Sequence, residues 1–316
     1  MKAVLIKMQN LPYLLLLFAT FFWGTNFVFS RIIVEEIPPF QLSVMRWVTA
    51  SFVFLPFVYK ELKQNIVVVK ENWRVLLLLG VTGIAGFNTL LYIGIQYTNS
   101  ISASLVNSIS PLLIVLLAVF FLKEKLLPIQ YIGVVVSFLG VAIVVTGGSL
   151  ETLLTLTFNK GDLIVFAAVI SWSIYSILMK KFGVNLPKKS TFIITMYIGI
   201  LVLIPFALYE RTYQPVSLTS LSSEMIFGVI YLGIFPSIIS FICWNEGVMQ
   251  VGPGKASNYL HLIVLFTTIL AILVGGETLT LTQISGGFFI LSGVLVASNS
   301  EFLMRYLPRR VSKGNQ

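Results

Sequence analysis

The sequence is poor in charged residues and contains very little histidine or cysteine. Only 10% of its 316 residues are charged and 57% are hydrophobic, whereas an ordinary soluble domain has about 25% charged residues. A soluble fold with so few charges could not cover its surface. The composition therefore excludes a cytosolic globular enzyme, a disordered regulator and a coiled coil. The repeated apolar runs of about 20 residues indicate instead a polytopic membrane protein.

The scarcity of metal ligands narrows the chemistry further. The one cysteine, Cys243, lies in an apolar run, and the one histidine is His261. A disulfide framework, a thiolate metal site and a zinc-binding histidine pair are therefore excluded, and we expect neither a metal nor a cofactor. No Gly-x-x-x-x-Gly-Lys-Ser/Thr segment occurs, so the chain does not itself hydrolyse ATP. The net charge of +9 is interpreted as a topology signal rather than as a nucleic-acid interface.

Ten apolar segments are each long enough to cross about 30 Å of hydrocarbon at about 1.5 Å per residue. Proline and glycine mark many of their edges, for example at Pro38-Pro39 and at Gly252-Pro253-Gly254. The sequence therefore predicts an all-α integral membrane protein with ten transmembrane helices. The predicted spans are residues 12–32, 38–59, 75–97, 100–122, 129–147, 161–180, 190–208, 224–249, 256–274 and 282–300.

The basic residues are distributed very unevenly between the two sides of these ten spans. With the N-terminus in the cytoplasm, 17 of the 21 Lys and Arg residues fall on the inner side, 3 fall on the outer side, and Arg46 lies within a span. Positive charge favours the cytoplasmic side. We therefore predict a multi-pass protein of the cytoplasmic membrane with both termini in the cytoplasm. The loops are short, so binding must occur within the bilayer.

The two halves of the chain match each other at an offset of 153 residues. Gly80 pairs with Gly233, Glu124 with Glu277, Gln130 with Gln283, and Gly133 with Gly286; near the start the offset is 149, which pairs Trp23 with Trp172. Each half, 12–147 and 161–300, has five spans, and an odd number inverts the second half. This pattern predicts two inverted five-helix repeats with a substrate site near the midplane between them.

Short motifs occur in order in both halves of the chain. They are Trp23-Gly24-Thr25-Asn26, Pro38 followed by Arg46, Ala103-Ser104 followed by Pro111, Glu124 and Gly133, and Ala256-Ser257 followed by Gly276-Glu277, Gln283, Gly286 and Gly293. Together they resemble the EamA-type family of the drug/metabolite transporter superfamily. The resemblance covers essentially the whole chain and implies ten helices in two inverted repeats, with helices three, four, eight and nine around a cavity. It also implies movement of small metabolites, often export of amino acids or related compounds, by a monomer or a homodimer with helices five and ten at the periphery or at the dimer contact.

Polar residues within the predicted spans are the candidates for the cavity, because a polar group in hydrocarbon needs a partner or water. Arg46 lies near the midplane, where its guanidinium could bind a substrate carboxylate or lock helix two onto carbonyls and helix ends. The alternatives for the other candidates are interhelical hydrogen bonds and interfacial aromatic belts. The predicted cavity residues are Trp23, Asn26, Arg46, Asn88, Tyr92, Asn107, Trp172, Tyr175, Trp244, Asn245 and Asn258.

Two titratable residues are candidates for proton coupling. Glu246 lies near the inner end of helix eight, where it could bind a proton or simply reach headgroup water. His261 lies one turn after Ser257, and its ordinary pKa suits a proton carrier, although it could also be packed against that serine. Both uniport and proton antiport remain open.

Two further features have structural interpretations. Glu124 and Glu277 end helices four and nine, where a negative charge opposes the helix dipole. We therefore expect them to bind the N-termini of neighbouring helices, with helices five and ten as the targets. The small residues Gly133, Ser137 and Gly140 and their counterparts Gly286 and Gly293 allow close helix approach, which we expect to occur within a repeat rather than at a dimer seam.

These observations favour a secondary transporter, and the family resemblance implies an exporter. A lipid-carrier flippase and a passive channel on the same scaffold are the alternatives. An enzyme is disfavoured, because no Gly-x-Ser-x-Gly turn accompanies His261 and no aspartate pair lies at depth. The expected partners are a small-molecule substrate, the lipid bilayer and, in the antiport case, the proton.

Overall fold

The computed structural model describes residues 2–123, 128–155, 159–216, 221–251 and 258–298, and all regular elements in these ranges are helical. The α-helices are α1 (Lys2–Ile33), α2 (Pro39–Gln64), α3 (Ile66–Glu71), α4 (Trp73–Leu79), α5 (Phe87–Ile95), α6 (Ser100–Asn107), α7 (Ser110–Leu122), α8 (Pro128–Thr146), α9 (Leu150–Thr155), α10 (Lys160–Phe182), α11 (Lys188–Tyr213), α12 (Ser223–Ile234), α13 (Ser240–Val251), α14 (His261–Leu273) and α15 (Leu281–Ser298). Short 3₁₀ turns cover Gly183–Asn185 and Asn258–Leu260.

Seven helical stretches among the described residues are long and apolar enough to cross a membrane, which makes the chain a multi-pass membrane protein. Two shorter apolar helices, Tyr131–Thr146 and His261–Leu273, accompany them, and the count of ten spans stays a prediction. The seven stretches are Leu11–Ile33, Pro39–Gln64, Trp73–Ile95, Ser100–Phe121, Lys160–Phe182, Lys188–Tyr213 and Ser223–Gly247.

Several helices continue beyond the predicted span ends. Helix α2 runs to Gln64 and α11 runs to Tyr213, whereas the spans were predicted to end at residues 59 and 208. The apolar pattern marks only the part of a helix that lies in hydrocarbon. Lys, Glu and Arg are good helix formers, so the backbone remains helical after the apolar run has ended.

Three spans contain interruptions that their apolar pattern does not reveal. The third span passes through a π-helical turn at Gly80–Gly86, and the eighth passes through another at Phe235–Ile239. The fourth span is broken between α6 and α7, where Pro111 lies in the first turn of α7. Proline has no N–H and clashes with the carbonyl four residues earlier, so a helix cannot continue unchanged through that position.

Glutamate side chains cap helix N-termini on other helices. Glu277 accepts hydrogen bonds from the backbone N–H groups of Ser100 (2.8 Å) and Ile101 (3.1 Å) at the start of α6. The prediction that Glu277 binds a helix N-terminus was therefore right about the type of contact and wrong about its target, which is helix four and not helix ten. Sequence order suggested the next helix, but the fold brings α6 closer. Glu124 lies outside the described residues.

A second pair of such contacts links α2 with α11 at both ends. Glu210 of α11 accepts the N–H of Gln41 (2.9 Å) at the start of α2. Glu61 of α2 accepts the N–H of Ser190 (3.3 Å) at the start of α11. A carboxylate at a helix N-terminus satisfies free N–H groups and interacts favourably with the helix dipole. The two antiparallel helices are thus held together by the same kind of bond at each end.

The glycine stripes join α8 to α15. A Cβ atom at Gly293 would lie 2.5 Å from both the carbonyl oxygen of Gly133 and the backbone nitrogen of Ser137, and one at Gly140 would lie 2.6 Å from the carbonyl oxygen of Gly286. The stripes therefore connect helix five with helix ten, so the expectation of packing within one half of the chain was wrong. The sequence identified residues suited to close approach, but not which helix approaches.

We predict that Gly293→Ala lowers the stability of the protein by about 1–3 kcal/mol, because the new methyl group would overlap backbone atoms that cannot move aside independently. Denaturation of the purified protein measures this change. Gly183→Ala is the matched control, since its new methyl group meets only the flexible end of the Met179 side chain, at 2.9 Å. Equal stability of the two variants would contradict the tight α8–α15 contact.

Candidate substrate cavity

A cavity of about 90 Å³ lies between the helices in the interior of the bundle. At about 30 Å³ per water molecule it has room for a few waters. Each predicted span from the first to the fourth and from the sixth to the ninth contributes to its wall. The lining residues are Trp23, Asn26, Phe27, Arg46, Trp47, Gly83, Ile84, Phe87, Asn88, Asn107, Ser108, Ser110, Pro111, Trp172, Tyr175, Phe192, Pro236, Ser237, Phe241, Leu260 and Ile263.

Seven of the eleven predicted cavity residues line this wall, namely Trp23, Asn26, Arg46, Asn88, Asn107, Trp172 and Tyr175. Tyr92 lies behind the wall, fully buried, and contacts Arg46. The indole of Trp244 packs against that of Trp23 with ring centroids 5.3 Å apart, outside the lining. Asn245 is half-buried and does not line the cavity, and the side chain of Asn258 lies outside the described part of the chain.

Arg46 is the centre of the polar wall and is only 3% exposed. Its Nε donates to the hydroxyl of Ser237 (2.6 Å), and its Nη1 lies 2.8 Å from Oδ1 of Asn26 and 2.9 Å from Oδ1 of Asn88. Nη1 also contacts the hydroxyl of Tyr92. These partners belong to α1, to α5 and to the π-helical turn at Phe235–Ile239. One side chain on α2 therefore cross-links three other spans.

All partners of Arg46 are neutral. In the described ranges the single salt bridge joins Arg31 to Glu35, and no carboxylate neutralises Arg46. The rings of Trp47 and Tyr92 lie 5.1 and 5.7 Å from its guanidinium carbon and supply a weak cation–π attraction. A buried cation without a counter-ion is costly, and this cost makes the site receptive to an anion.

One edge of the Arg46 guanidinium is free to meet a ligand. A guanidinium has five N–H donors, and the hydrogen bonds to described residues involve Nε and Nη1 but not Nη2. Because Arg46 lines the cavity, Nη2 is the donor left for a molecule in it.

The two π-helical turns position groups around the cavity. A wide turn leaves carbonyls without their usual partner, and side chains bond to them here. Trp23 Nε1 donates to the carbonyl of Pro236 (3.1 Å), and Ser171 donates to the carbonyl of Thr82 (2.8 Å). Ser237 also donates to the carbonyl of Leu232, five residues earlier (2.8 Å). The turn in span eight therefore fixes the hydroxyl that holds Arg46 Nε.

Aromatic rings form the rest of the wall. Trp172 stacks on Tyr175 and also contacts Phe87, each with ring centroids 5.1 Å apart. Phe192 and Phe241 are nearly parallel at 4.2 Å. The cavity thus presents one cationic, hydrogen-bonding side and one flat apolar side, an arrangement suited to a small amphipathic anion.

Sequence reasoning missed Ser237 and the apolar part of the wall. Ser237 gave no signal, because a serine in a span commonly bonds its own backbone. Phe87, Phe192 and Phe241 lie in continuously apolar spans, where no periodicity distinguishes a cavity face from a lipid face.

The two proton-coupling candidates do not line the cavity. Glu246 is exposed and accepts a hydrogen bond from Gln250 at 2.7 Å. His261 lies between the lining residues Leu260 and Ile263, and its Nδ1 is buried without a partner among the described residues. Ser257, the expected neighbour of His261, lies outside those residues.

The fold and the cavity define a helical, multi-pass membrane protein with a small central cavity that is lined by a buried cation. The model of the EamA-like transporter family matches residues 10–146 and 159–299, so the chain belongs to this family of transporters. The resemblance in its motifs is thereby confirmed.

Individual proteins agree with this assignment. The chain is 30% identical over 302 residues to the uncharacterized transporter YyaM of Bacillus subtilis (strain 168), covering 95% of this chain and 97% of YyaM. An uncharacterized transporter of Archaeoglobus fulgidus is 25% identical, with coverage of 92% and 98%. One solved crystal structure of a protein has 21% sequence identity and a TM-score of 0.62, covering 94% of this chain and 98% of that chain, which shows the fold alone.

We predict that Ser237→Ala destabilises the protein more than Tyr92→Phe does. Loss of the Ser237 hydroxyl leaves Arg46 Nε buried and unpaired, which costs about 1–3 kcal/mol. Loss of the Tyr92 hydroxyl leaves two acceptors, Asn26 and Asn88, for the two hydrogens of Nη1, and costs less than about 1 kcal/mol.

Chemical denaturation of the purified variants measures both changes. Ser240→Ala is the matched control, because Ser240 is one turn further along the same span and bonds only the carbonyl of Phe235 (3.1 Å). If Ser237→Ala were as stable as Ser240→Ala, the hydroxyl of Ser237 would not be holding Arg46.

Proposed function

We propose that this protein is a secondary transporter that exports small metabolites, such as amino acids or related compounds, across the cytoplasmic membrane by alternating access. The main support for this proposal is the cationic side of the cavity. Arg46 is buried, lacks a carboxylate partner among the described residues, and has one guanidinium nitrogen, Nη2, without a hydrogen bond to a described residue. A carboxylate would supply the missing negative charge and would accept from Nη2. The aromatic side would bind the apolar part of the same molecule.

Alternating access rests on the proposed architecture of two inverted five-helix repeats, 12–147 and 161–300, with ten spans and both termini in the cytoplasm. The family model matches the chain twice, once in each half. The two end contacts of α2 and α11 support the same symmetry, because Glu61 and Glu210, and likewise Gln41 and Ser190, are 149 residues apart. Exchange of conformations between such halves would turn an outward-open cavity inward.

Substrate binding would act on the helix contacts directly. A carboxylate that accepts from Nη2 with one oxygen would bring its second oxygen within reach of Nη1, where it would compete with Asn26 and Asn88 for the hydrogens. Each bond that is exchanged weakens a link between α2 and a neighbouring span. The ligand would therefore bind more tightly to a state in which these spans separate than to the packed state. A ligand can drive a conformational change only through such a difference in affinity between two states.

His261 is a better candidate than Glu246 for coupling transport to the movement of a proton. It lies on α14 between residues of the cavity wall, whereas Glu246 is exposed and bonded to Gln250. We propose proton antiport with His261 as the proton carrier, and uniport is the alternative.

A flippase is the second candidate, because a lateral apolar groove of about 360 Å³ runs along the outside of α1 and α12. Its lining includes Phe29, Ile33, Met225 and Tyr231, and it could receive an acyl chain. The groove shares no lining residue with the cavity. The observations therefore favour a metabolite in the cavity over a lipid in the groove.

The first experiment identifies the substrate by comparing the metabolites that accumulate in cells with and without the gene. Each accumulated compound is then tested for uptake into proteoliposomes with and without an imposed pH gradient. Saturable uptake of a carboxylate compound that accelerates with the gradient supports proton-coupled export. Saturable uptake at equal rates would contradict antiport, and non-saturable flux would indicate a channel.

We predict that Arg46→Gln lowers kcat/KM for an anionic substrate at least about tenfold, because glutamine keeps some hydrogen bonds to Asn26 and Asn88 but has no charge. Arg31→Gln is the control, since Arg31 is partly exposed and paired with Glu35. The folded state of both variants is checked by size-exclusion chromatography. A folded Arg46→Gln protein that transports the anion at the wild-type rate would contradict the proposed role.

A further inference from the structure

A second, polar cavity lies away from the central one, where the end of α5 meets the starts of α6, α10 and α15. We call it the end pocket. Its volume is about 650 Å³ and it shares no lining residue with the central cavity. The predicted topology places it on the outer face of the membrane. Polar lining residues that matter below are Thr98, Asn99, Ser102, Asp162, Thr282 and Gln283.

Asp162 is the buried charge of the end pocket. It is 3% exposed, and one of its oxygens accepts a hydrogen bond from the hydroxyl of Thr98 at 2.6 Å. Its other oxygen has no hydrogen-bond partner among the described residues, and Asp162 lines the end pocket. The start of α10 favours the ionised carboxylate through the helix dipole. A negative charge with unused acceptor capacity therefore faces the end pocket.

Close backbone packing fixes Asp162 in this position. A Cβ atom at Gly161 would lie 2.6 Å from the carbonyl oxygen of Gly94 and 2.8 Å from the nitrogen of Thr98. Helices α10 and α5 are thus pressed together beside the carboxylate. This packing fixes the backbone position of Asp162.

Two of the basic residues at this end of the molecule are engaged elsewhere. Arg31 lines the end pocket, but its Nη1 lies 2.7 Å from a carboxylate oxygen of Glu35. The Nζ of Lys160 lies over the ring of Tyr97, 3.7 Å from its centroid. No salt bridge between described residues involves Asp162. Its charge is therefore open to a cation from outside the chain.

The opposite wall of the end pocket is held rigidly. Oδ1 of Asn99 accepts from the N–H of Ser102 (2.7 Å) and from Nε2 of Gln283 (3.0 Å). Nε2 of Gln283 also lies 3.0 Å from the hydroxyl of Ser102. These bonds occupy the amide donors of Gln283 and give the pocket a defined shape before any ligand binds.

We propose that the end pocket binds a small organic molecule through an ammonium group, with Asp162 as the anionic partner. An ammonium group offers three N–H donors, which suit the free oxygen of Asp162 and the neighbouring hydroxyl of Thr98. The volume is far larger than a bare inorganic ion needs and lies in the range of organic ligand sites, about 300–1,000 Å³. The site is separate from Arg46 and goes beyond the proposed transport function.

The first test measures binding of propylammonium to the purified full-length protein in nanodiscs at about pH 8, where amines are protonated and carboxylates ionised. Propionate and propanol are probes of the same size with the opposite charge and with none. We expect saturable thermal stabilisation by propylammonium alone, and Asp162→Asn should weaken its binding at least about tenfold. Glu36→Gln, which removes an exposed carboxylate at the same end of the molecule, should leave it unchanged.

Arg46→Gln separates this proposal from the transport mechanism. It should leave propylammonium binding intact, because the end pocket does not include Arg46. Loss of propylammonium binding in Arg46→Gln, or its retention in Asp162→Asn, would overturn the assignment to the end pocket. Equal stabilisation by propanol would show apolar binding only and would equally overturn it. If Arg46→Gln kept normal transport, the proposed role of Arg46 in the central cavity would be wrong, and the proposal for the end pocket would be unaffected.

A second test does not depend on the folding of Asp162→Asn. Thr282→Cys, in a Cys243→Ser background, places a thiol on the wall of the end pocket. A cationic trimethylammonium thiol reagent should react about tenfold faster than an anionic sulfonate reagent, after normalisation to free cysteine, and propylammonium should slow it. Equal normalised rates, or no protection by propylammonium, would overturn the proposal.

Discussion

Arg46 brings a positive charge into the interior of the helix bundle without a carboxylate to neutralise it. Its hydrogen bonds to Ser237, Asn26 and Asn88 satisfy N–H groups of the guanidinium, but these neutral acceptors do not neutralise its positive charge. In hydrocarbon such a group must be surrounded by dipoles or face water. The bundle therefore has to place neutral oxygens from three other spans at one point and keep a cavity beside it, and the helix irregularities are explained by this requirement.

The two π-helical turns and the break before α7 all lie at this level of the structure. They supply Gly83, Pro236, Ser237 and Ser108 to the wall of the cavity. A regular helix pairs its carbonyls with its own N–H groups, whereas the carbonyls at these two turns accept bonds from Trp23 and Ser171. Irregular backbone is tolerated in a membrane protein where it lines a cavity. The same turns that cost regular hydrogen bonds thus build the polar side of the site.

Much of this arrangement can be predicted from sequence, and the reasons for the remainder are physical. Apolar length and turn residues located the long helices, because hydrocarbon thickness fixes how many residues a span needs. The cost of burying polar groups identified Arg46, Asn26 and Asn88, which the structure brings together. By contrast, the target of Glu277 and the partner of the Gly293 stripe depend on which helices become neighbours in space. Local pattern carries no information on that choice.

The contacts that join α2 and α11 at their two ends have a consequence for how the protein responds to change. Glu61 and Glu210 each accept a hydrogen bond from the N-terminus of the other helix, and the two bonds lie at opposite ends of the helix pair. Under the proposed alternating-access mechanism, a substitution that weakens one of them would leave the other intact, so we expect it to shift the balance between inward-facing and outward-facing states instead of loosening the whole bundle. Sequence changes at either end would then adjust the resting orientation of the protein without altering the cavity around Arg46.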